Sequence, residues 1–119
     1  GTGSSEETGA GAGEGCTVNV PLPPGSGRDA YREAFDAVIL PATESFDPDL
    51  ILISAGQDPL ADDPLGAMRL QPPDFGMFTE RVCSIAKKPP ALVLEGGYGP
   101  SHGEAIAGIR RVLDEWDAG

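Results

Sequence analysis

The chain has 119 residues, 39% hydrophobic and only 6% aromatic, with 8 Lys+Arg against 19 Asp+Glu and a formal net charge of -11. This length suits one domain, or part of one, and the charge leaves no basic footprint for a phosphate backbone, which argues against direct nucleic-acid binding. No apolar run is long enough to span a bilayer and no cationic leader opens the sequence, so the expectation is an intracellular protein, cytoplasmic or nuclear, with no membrane partner.

Residues 1–15, GTGSSEETGAGAGEG, carry no periodic apolar position and read as a Gly-rich flexible segment or a surface loop. Residues 16–20, Cys-Thr-Val-Asn-Val, are rich in β-branched side chains and stop at Pro21, which predicts a first strand with PLPPGSG as the turn beyond it. Cys16 and Cys83 lie far apart in no metal-type spacing and read as buried apolar fillers. Tyr31, Ala34, Phe35, Val38 and Ile39 have the spacing of one helix face, and Pro41 should kink that helix or start a new one at Ala42.

The stretch that organises the chain follows. Leu50-Ile51-Leu52-Ile53 is a short run bounded by Asp-Pro and Ser-Ala-Gly, suited to a strand buried on both faces of a sheet. Asp58 stands just past it, where open α/β sheets place their ligands. Pro72-Pro73 pre-set a second helix with Phe75, Phe78, Val82 and Ile85 inward, closed by Lys87-Lys88 and Pro89-Pro90. Ala91-Leu92-Val93-Leu94 is a further strand that runs into Glu95-Gly96-Gly97-Tyr98-Gly99. Ser101 and Glu104 have capping-box spacing before a last helix with Ile106, Ile109, Leu113 and Trp116 inward. Strands lacking alternation and alternating with helices predict an α/β fold, a parallel sheet covered by helices on both faces. Asp58 and Tyr98 should then face one cleft.

As residue types, Asp58 reads as a hard oxygen ligand or as a turn cap, and spacing alone leaves both open. Asp62-Asp63-Pro64 reads as a turn with an Asx-type bond; a purely acidic cluster with Asp58 would suit Mg²⁺ or Ca²⁺ rather than zinc. Tyr98 sits between glycines that let backbone approach a ligand, and a phenol can donate to a developing oxyanion; the other reading is a ring packed on the sheet edge. His102, the single His, reads as a surface residue because no acid partner is identifiable.

PDLILISAGQDPLADDPLGAM, LVLEGGYG and VNVPLPPGSGRDAYREAF together resemble the zinc-dependent deacetylases: histone deacetylases, acetylpolyamine amidohydrolases and acetoin-utilisation relatives, in their class II-like or bacterial branch. The resemblance covers nearly the whole chain and implies the C-terminal portion of an arginase/deacetylase-like three-layer sandwich, incomplete, with residues 16–119 as the deacetylase part. It assigns Asp58 to zinc, Tyr98 to the carbonyl that becomes an oxyanion, Leu65 to the wall of the acyl-lysine tunnel, and Gly56, Gly96 and Gly97 to the shape of the cleft. Polyamine-specific members can carry an acidic residue where Leu65 stands, so Leu65 points away from a polyamine.

The implied reaction is hydrolysis of the acetyl amide of acetyl-lysine or a small acetylated amine. The family's Asp-x-His ligands and tandem histidines are absent from these residues, which makes the expectation an incomplete zinc site, inactive alone, with the upstream part of the same domain as partner. A non-catalytic binding or assembly module with a deacetylase-like fold is the alternative, and a Mg²⁺-dependent phosphatase-like site on the acidic loop a third.

Overall fold

The computed structural model describes residues 2–116; Gly1 and residues 117–119, the outer ends of the two expected segments, lie outside the described residues. The elements in order are a 3-10 turn Gly11–Gly13, α1 Arg28–Ala34, a π-helical turn Phe35–Ile39, α2 Leu40–Phe46, β1 Leu52–Ala55, α3 Pro72–Ile85, β2 Ala91–Leu94 and α4 His102–Asp114.

Residues 2–20 follow an irregular, largely exposed path broken by the 3-10 turn. The Glu7 carboxylate accepts from the backbone N–H groups of Gly3 and Ser4, and Asn19 Nδ2 donates to the Ser4 and Glu7 carbonyls. Residues 16–20 run through this segment without regular structure, contrary to the predicted strand. A strand needs a ladder partner, and the Thr17 N–H instead bonds to the Thr8 carbonyl. Cys16 is exposed rather than a buried filler, while Cys83 is half-buried on α3.

Pro41 leaves the expected mark in an unexpected form. Proline lacks an N–H and crowds the carbonyl four residues back, which a regular helix cannot absorb. Here the N–H of Leu40 reaches five residues back to the Phe35 carbonyl, and this wider turn carries the chain from α1 into α2 at Leu40 instead of a fresh start at Ala42.

β1 and β2 pair in parallel, with Leu52 opposite Ala91 and Ala55 opposite Leu94. The strand expected over Leu50–Ile53 is thus displaced two residues toward the site. The ladder continues past both strands, with Glu95 N to Ala55 O at 3.2 Å and Gln57 N to Gly96 O at 2.7 Å. Partners across a parallel register share a face, so Ile53 and Leu92 turn inward while Leu52 and Val93 turn outward.

The inward face meets a core of Leu60, Leu70, Phe75, Phe78, Ala105 and Ile109, against which Tyr31, Phe35 and Leu92 pack. The Phe35 and Phe78 rings stack with centroids 4.8 Å apart. α3 begins at Pro72 with a reciprocal capping box between Gln71 and Asp74, and the buried Asp74 also pairs with Arg28 at the start of α1. α4 lies tightly against α3: a Cβ on Gly76 would come within 3.4 Å of the Gly108 carbonyl. Small residues permit that approach, so the buried line on α4 is Ala105, Ile109 and Val112, with the expected Ile106, Leu113 and Trp116 half-buried beside it.

The outward face is bare. Leu52 is 71% exposed and Val93 59% exposed, so burial on both faces is not met among the described residues. What stands is an incomplete α/β sandwich, one helical layer on a two-stranded parallel sheet. No described helix is long and apolar enough to cross a membrane.

Candidate functional site

Because β1 and β2 are parallel, the loops that leave them emerge at the same edge of the sheet. The first supplies Gly56-Gln57-Asp58, the second Glu95-Gly96-Gly97-Tyr98. The Asp58 and Tyr98 side chains converge over Gly96. From the point where a Cβ on Gly96 would stand, the Tyr98 hydroxyl is 3.7 Å away and Asp58 Oδ2 is 3.9 Å away. Any larger side chain at that position would enter the space the two groups share.

The Asp58 carboxylate lies over a second glycine. A Cβ on Gly56 would approach its Oδ1 to 2.8 Å. Asp58 is exposed and takes part in no ion pair among the described residues. Its charge is nonetheless felt beneath the site. Burial raises the phenol pKa of Tyr31, and the negative charge of Asp58 raises it further. Tyr31 borders an apolar cavity under the sheet edge, lined also by Ile53, Ala55, Phe75 and Leu92.

Gln57, between the two site-forming residues of its loop, points inward and is fully buried. Its Nε2 donates to the Ala55 carbonyl at 3.0 Å, while its Oε1 has no partner. The buried Gly97 closes over it from the other loop.

The two aspartates after Asp58 do not join it. Asp63 is buried, and its Oδ1 accepts from the N–H groups of Leu65 at 2.8 Å and Gly66 at 2.9 Å, an Asx-type turn as expected. Its Oδ2 turns the other way and accepts the N–H of Tyr98 at 2.7 Å. That hydrogen bond from Tyr98 foremost, helped by those from Leu65 and Gly66 and by the nearby His102, holds the Asp63 carboxyl below the usual carboxylate range. Asp62 accepts from both the backbone N–H and the hydroxyl of Ser101. Ser101 therefore makes no side-chain cap on α4, and the expected box with Glu104 does not form. With their oxygens so occupied, Asp62 and Asp63 do not form a cation cluster with Asp58, and no group of three His, Cys, Asp or Glu among the described residues is placed to hold a metal.

The residues that sequence reasoning singles out, Asp58, Tyr98, Gly96 and Gly97, gather at one place. Leu65 is 78% exposed and adjoins Gly66, which abuts the Asp58 backbone. Sequence reasoning misses the link from Asp63 to Tyr98, which lies 35 residues away and leaves no signal in local spacing. For zinc, the residues present fit one ligand: an unpaired carboxylate at a strand end above a floor free of side chains.

Residues 1–110 match the histone deacetylase domain family. Among curated relatives, the chain is 46% identical over 102 residues to histone deacetylase 10, chloroplastic, of Oryza sativa subsp. japonica, which covers 82% of this chain and 23% of the relative. It is 39% identical over 102 residues to a histone deacetylase-like amidohydrolase of Pseudomonas aeruginosa, covering 82% of this chain and 27% of that protein. Among solved structures, the HDA15 HD domain superposes with a TM-score of 0.91 at 36% identity, covering 95% of this chain and 33% of that one. An acetylpolyamine aminohydrolase of Burkholderia pseudomallei superposes with a TM-score of 0.84 at 32% identity, covering 97% and 33%. The chain spans about a quarter of the length of these curated relatives.

Proposed function

The chain belongs to the histone deacetylase family, and from that premise we propose that it supplies the C-terminal part of a zinc-dependent deacetylase domain acting on acetyl-lysine or a related acetylated amine. The observation that carries this reading is the convergence of the Asp58 carboxylate and the Tyr98 hydroxyl over Gly96. Such a pair offers a metal ligand and a hydrogen-bond donor to one small volume, which is what hydrolysis of an unactivated amide requires.

In this reading Asp58 is one ligand of the zinc, and a zinc ion held there supplies Lewis-acid polarisation of the amide carbonyl and an acidified water. Tyr98, keeping its proton, donates a hydrogen bond to the carbonyl oxygen as negative charge builds there, and the reach of that hydroxyl is set by the backbone of its loop. Gly96 and Gly97 keep the space before it clear, and Leu65 lines the approach of the acyl-lysine stem. One ligand does not make a catalytic zinc site, so residues 16–119 act together with the upstream part of the domain and are inactive without it. The outward face of the sheet, with Leu52 and Val93 uncovered, suits that partner. The compartment proposed is intracellular.

The test uses the full-length protein that carries this chain. Tyr98→Phe should lower turnover of an acetyl-lysine reporter about 10²–10³-fold with zinc still bound, the usual loss for one oxyanion donor. Asp58→Asn should lose both zinc and activity. Full activity in Tyr98→Phe, or stoichiometric zinc in Asp58→Asn, would refute the assignment and favour a non-catalytic module.

A further inference from the structure

We propose that Asp63 is a positioning residue for the reaction, holding the Tyr98 phenol at its working distance from Asp58; this rests on the deacetylase reading above. The loop that carries Tyr98 is pinned just before the phenol, where the Gly96 carbonyl accepts the Gln57 N–H at 2.7 Å and Gly97 closes on Gln57, so what remains to be held is Tyr98 itself. Glycines flank Tyr98 on both sides and the residue is 63% exposed, so ring packing does not fix the phenol. The Tyr98 N–H to Asp63 Oδ2 bond, 2.7 Å long and made to a buried acceptor, is the anchor at that residue. The neighbouring attachment serves the same end, because Asp62 takes the N–H and hydroxyl of Ser101 three residues on.

The other oxygen of Asp63 is turned toward the Asp58 loop. It accepts from Leu65 and Gly66, and Gly66 is pressed on the backbone of Asp58 so closely that a Cβ there would stand 2.0 Å from the Asp58 carbonyl oxygen. One buried carboxylate therefore ties together the loop of the ligand, through Leu65 and Gly66, and the loop of the phenol. Ionised, it accepts at both oxygens; a carboxamide of the same shape can accept at only one and sets an N–H₂ against an N–H at the other. Asp63→Asn thus changes the linkage with little change of volume, and displacement of a reacting group by a fraction of an ångström is felt in turnover more than in ground-state binding.

The experiment has two arms. In the full-length enzyme, Asp63→Asn should lower kcat about tenfold or more, with KM for the acetyl-lysine reporter changed less than about twofold and zinc stoichiometry intact. Val112→Ala, a core trim where α4 faces Cys83 and Ser84 at the far end of α3, serves as the control for general destabilisation and should leave kcat alone. In the unsubstituted protein, the Tyr98 amide should exchange with solvent slowly although its ring is exposed, a readout that needs neither a variant nor activity. A wild-type kcat in Asp63→Asn, or fast exchange at the Tyr98 amide, overturns the proposal. If Tyr98→Phe is fully active, the deacetylase reading fails and takes the catalytic role of Asp63 with it; if Tyr98→Phe is inactive while Asp63→Asn is not, this inference alone fails.

Discussion

Gly97 closes on Gln57 so tightly that a Cβ added to the glycine would stand 2.4 Å from the Cβ of the glutamine. The contact joins the two loops at the base of the candidate site, and it depends on a backbone at φ +120°, a region L side chains rarely adopt. Gly97→Ala therefore incurs both strain and overlap, an expected loss on the order of 2–4 kcal/mol. Gly103, at the exposed first turn of α4, has no atom within 4 Å of where a methyl group would stand and is the reference site, where alanine should be neutral or mildly stabilising. Urea midpoints of the two variants check this; equal midpoints would show that the loops are not locked at Gly97.

The fold's punctuation is legible in the sequence because it is local chemistry. Pro72-Pro73 opens α3 and Ala91–Leu94 forms β2, both as read. The strand after Pro48 is legible too, but two residues early, since an unbroken apolar run does not reveal which of its members will be paired. Residues 16–20 have strand composition and no strand partner among the described residues, a choice made by tertiary context. In the site, strand ends announce Asp58 and Tyr98. The Asp63 clasp is silent in sequence, because a carboxylate that reaches a backbone N–H on a distant loop has no side-chain partner to read.

Asp63 also makes stability depend on pH in a stated direction. Its carboxyl is held below its ordinary value by the Tyr98 N–H foremost. A group lowered on folding contributes its full stabilisation above its unfolded pKa, about 3.9 for Asp, and loses it as pH falls through the lowered folded value. The stability gap between the parent protein and Asp63→Asn should then be widest near neutrality and narrow below about pH 4. Denaturant midpoints at neutral and acid pH measure it. A gap that does not change with pH would mean that the carboxylate charge is not what the three N–H groups select.

The bare face of the sheet predicts the behaviour of the isolated chain. Leu52 and Val93 lie on one face and project into solvent together with an unpaired strand edge, the kind of surface that associates. The 119-residue chain should self-associate at micromolar concentration and above, and Leu52→Lys with Val93→Lys should shift it toward monomer with little loss of helix. Sedimentation of both forms decides the matter. If the parent chain sediments as a monomer throughout, this surface is not adhesive.

As the residue proposed to line the acyl-lysine approach, Leu65 gives a handle on substrate choice. It is 78% exposed, with its backbone N–H held by Asp63, so its side chain can be exchanged without disturbing the core or the clasp. An exposed ion pair is worth up to about 1 kcal/mol, roughly fivefold in relative rate, and weakens as salt screens it. Leu65→Glu in the full-length protein should raise kcat/KM for an N-acetylated polyamine, which carries a second ammonium, by about that factor relative to an acetyl-lysine reporter. The gain should shrink at high ionic strength, because it comes from charge and not from a reshaped opening. A ratio indifferent to both the substitution and the salt would place Leu65 outside the path that substrate takes.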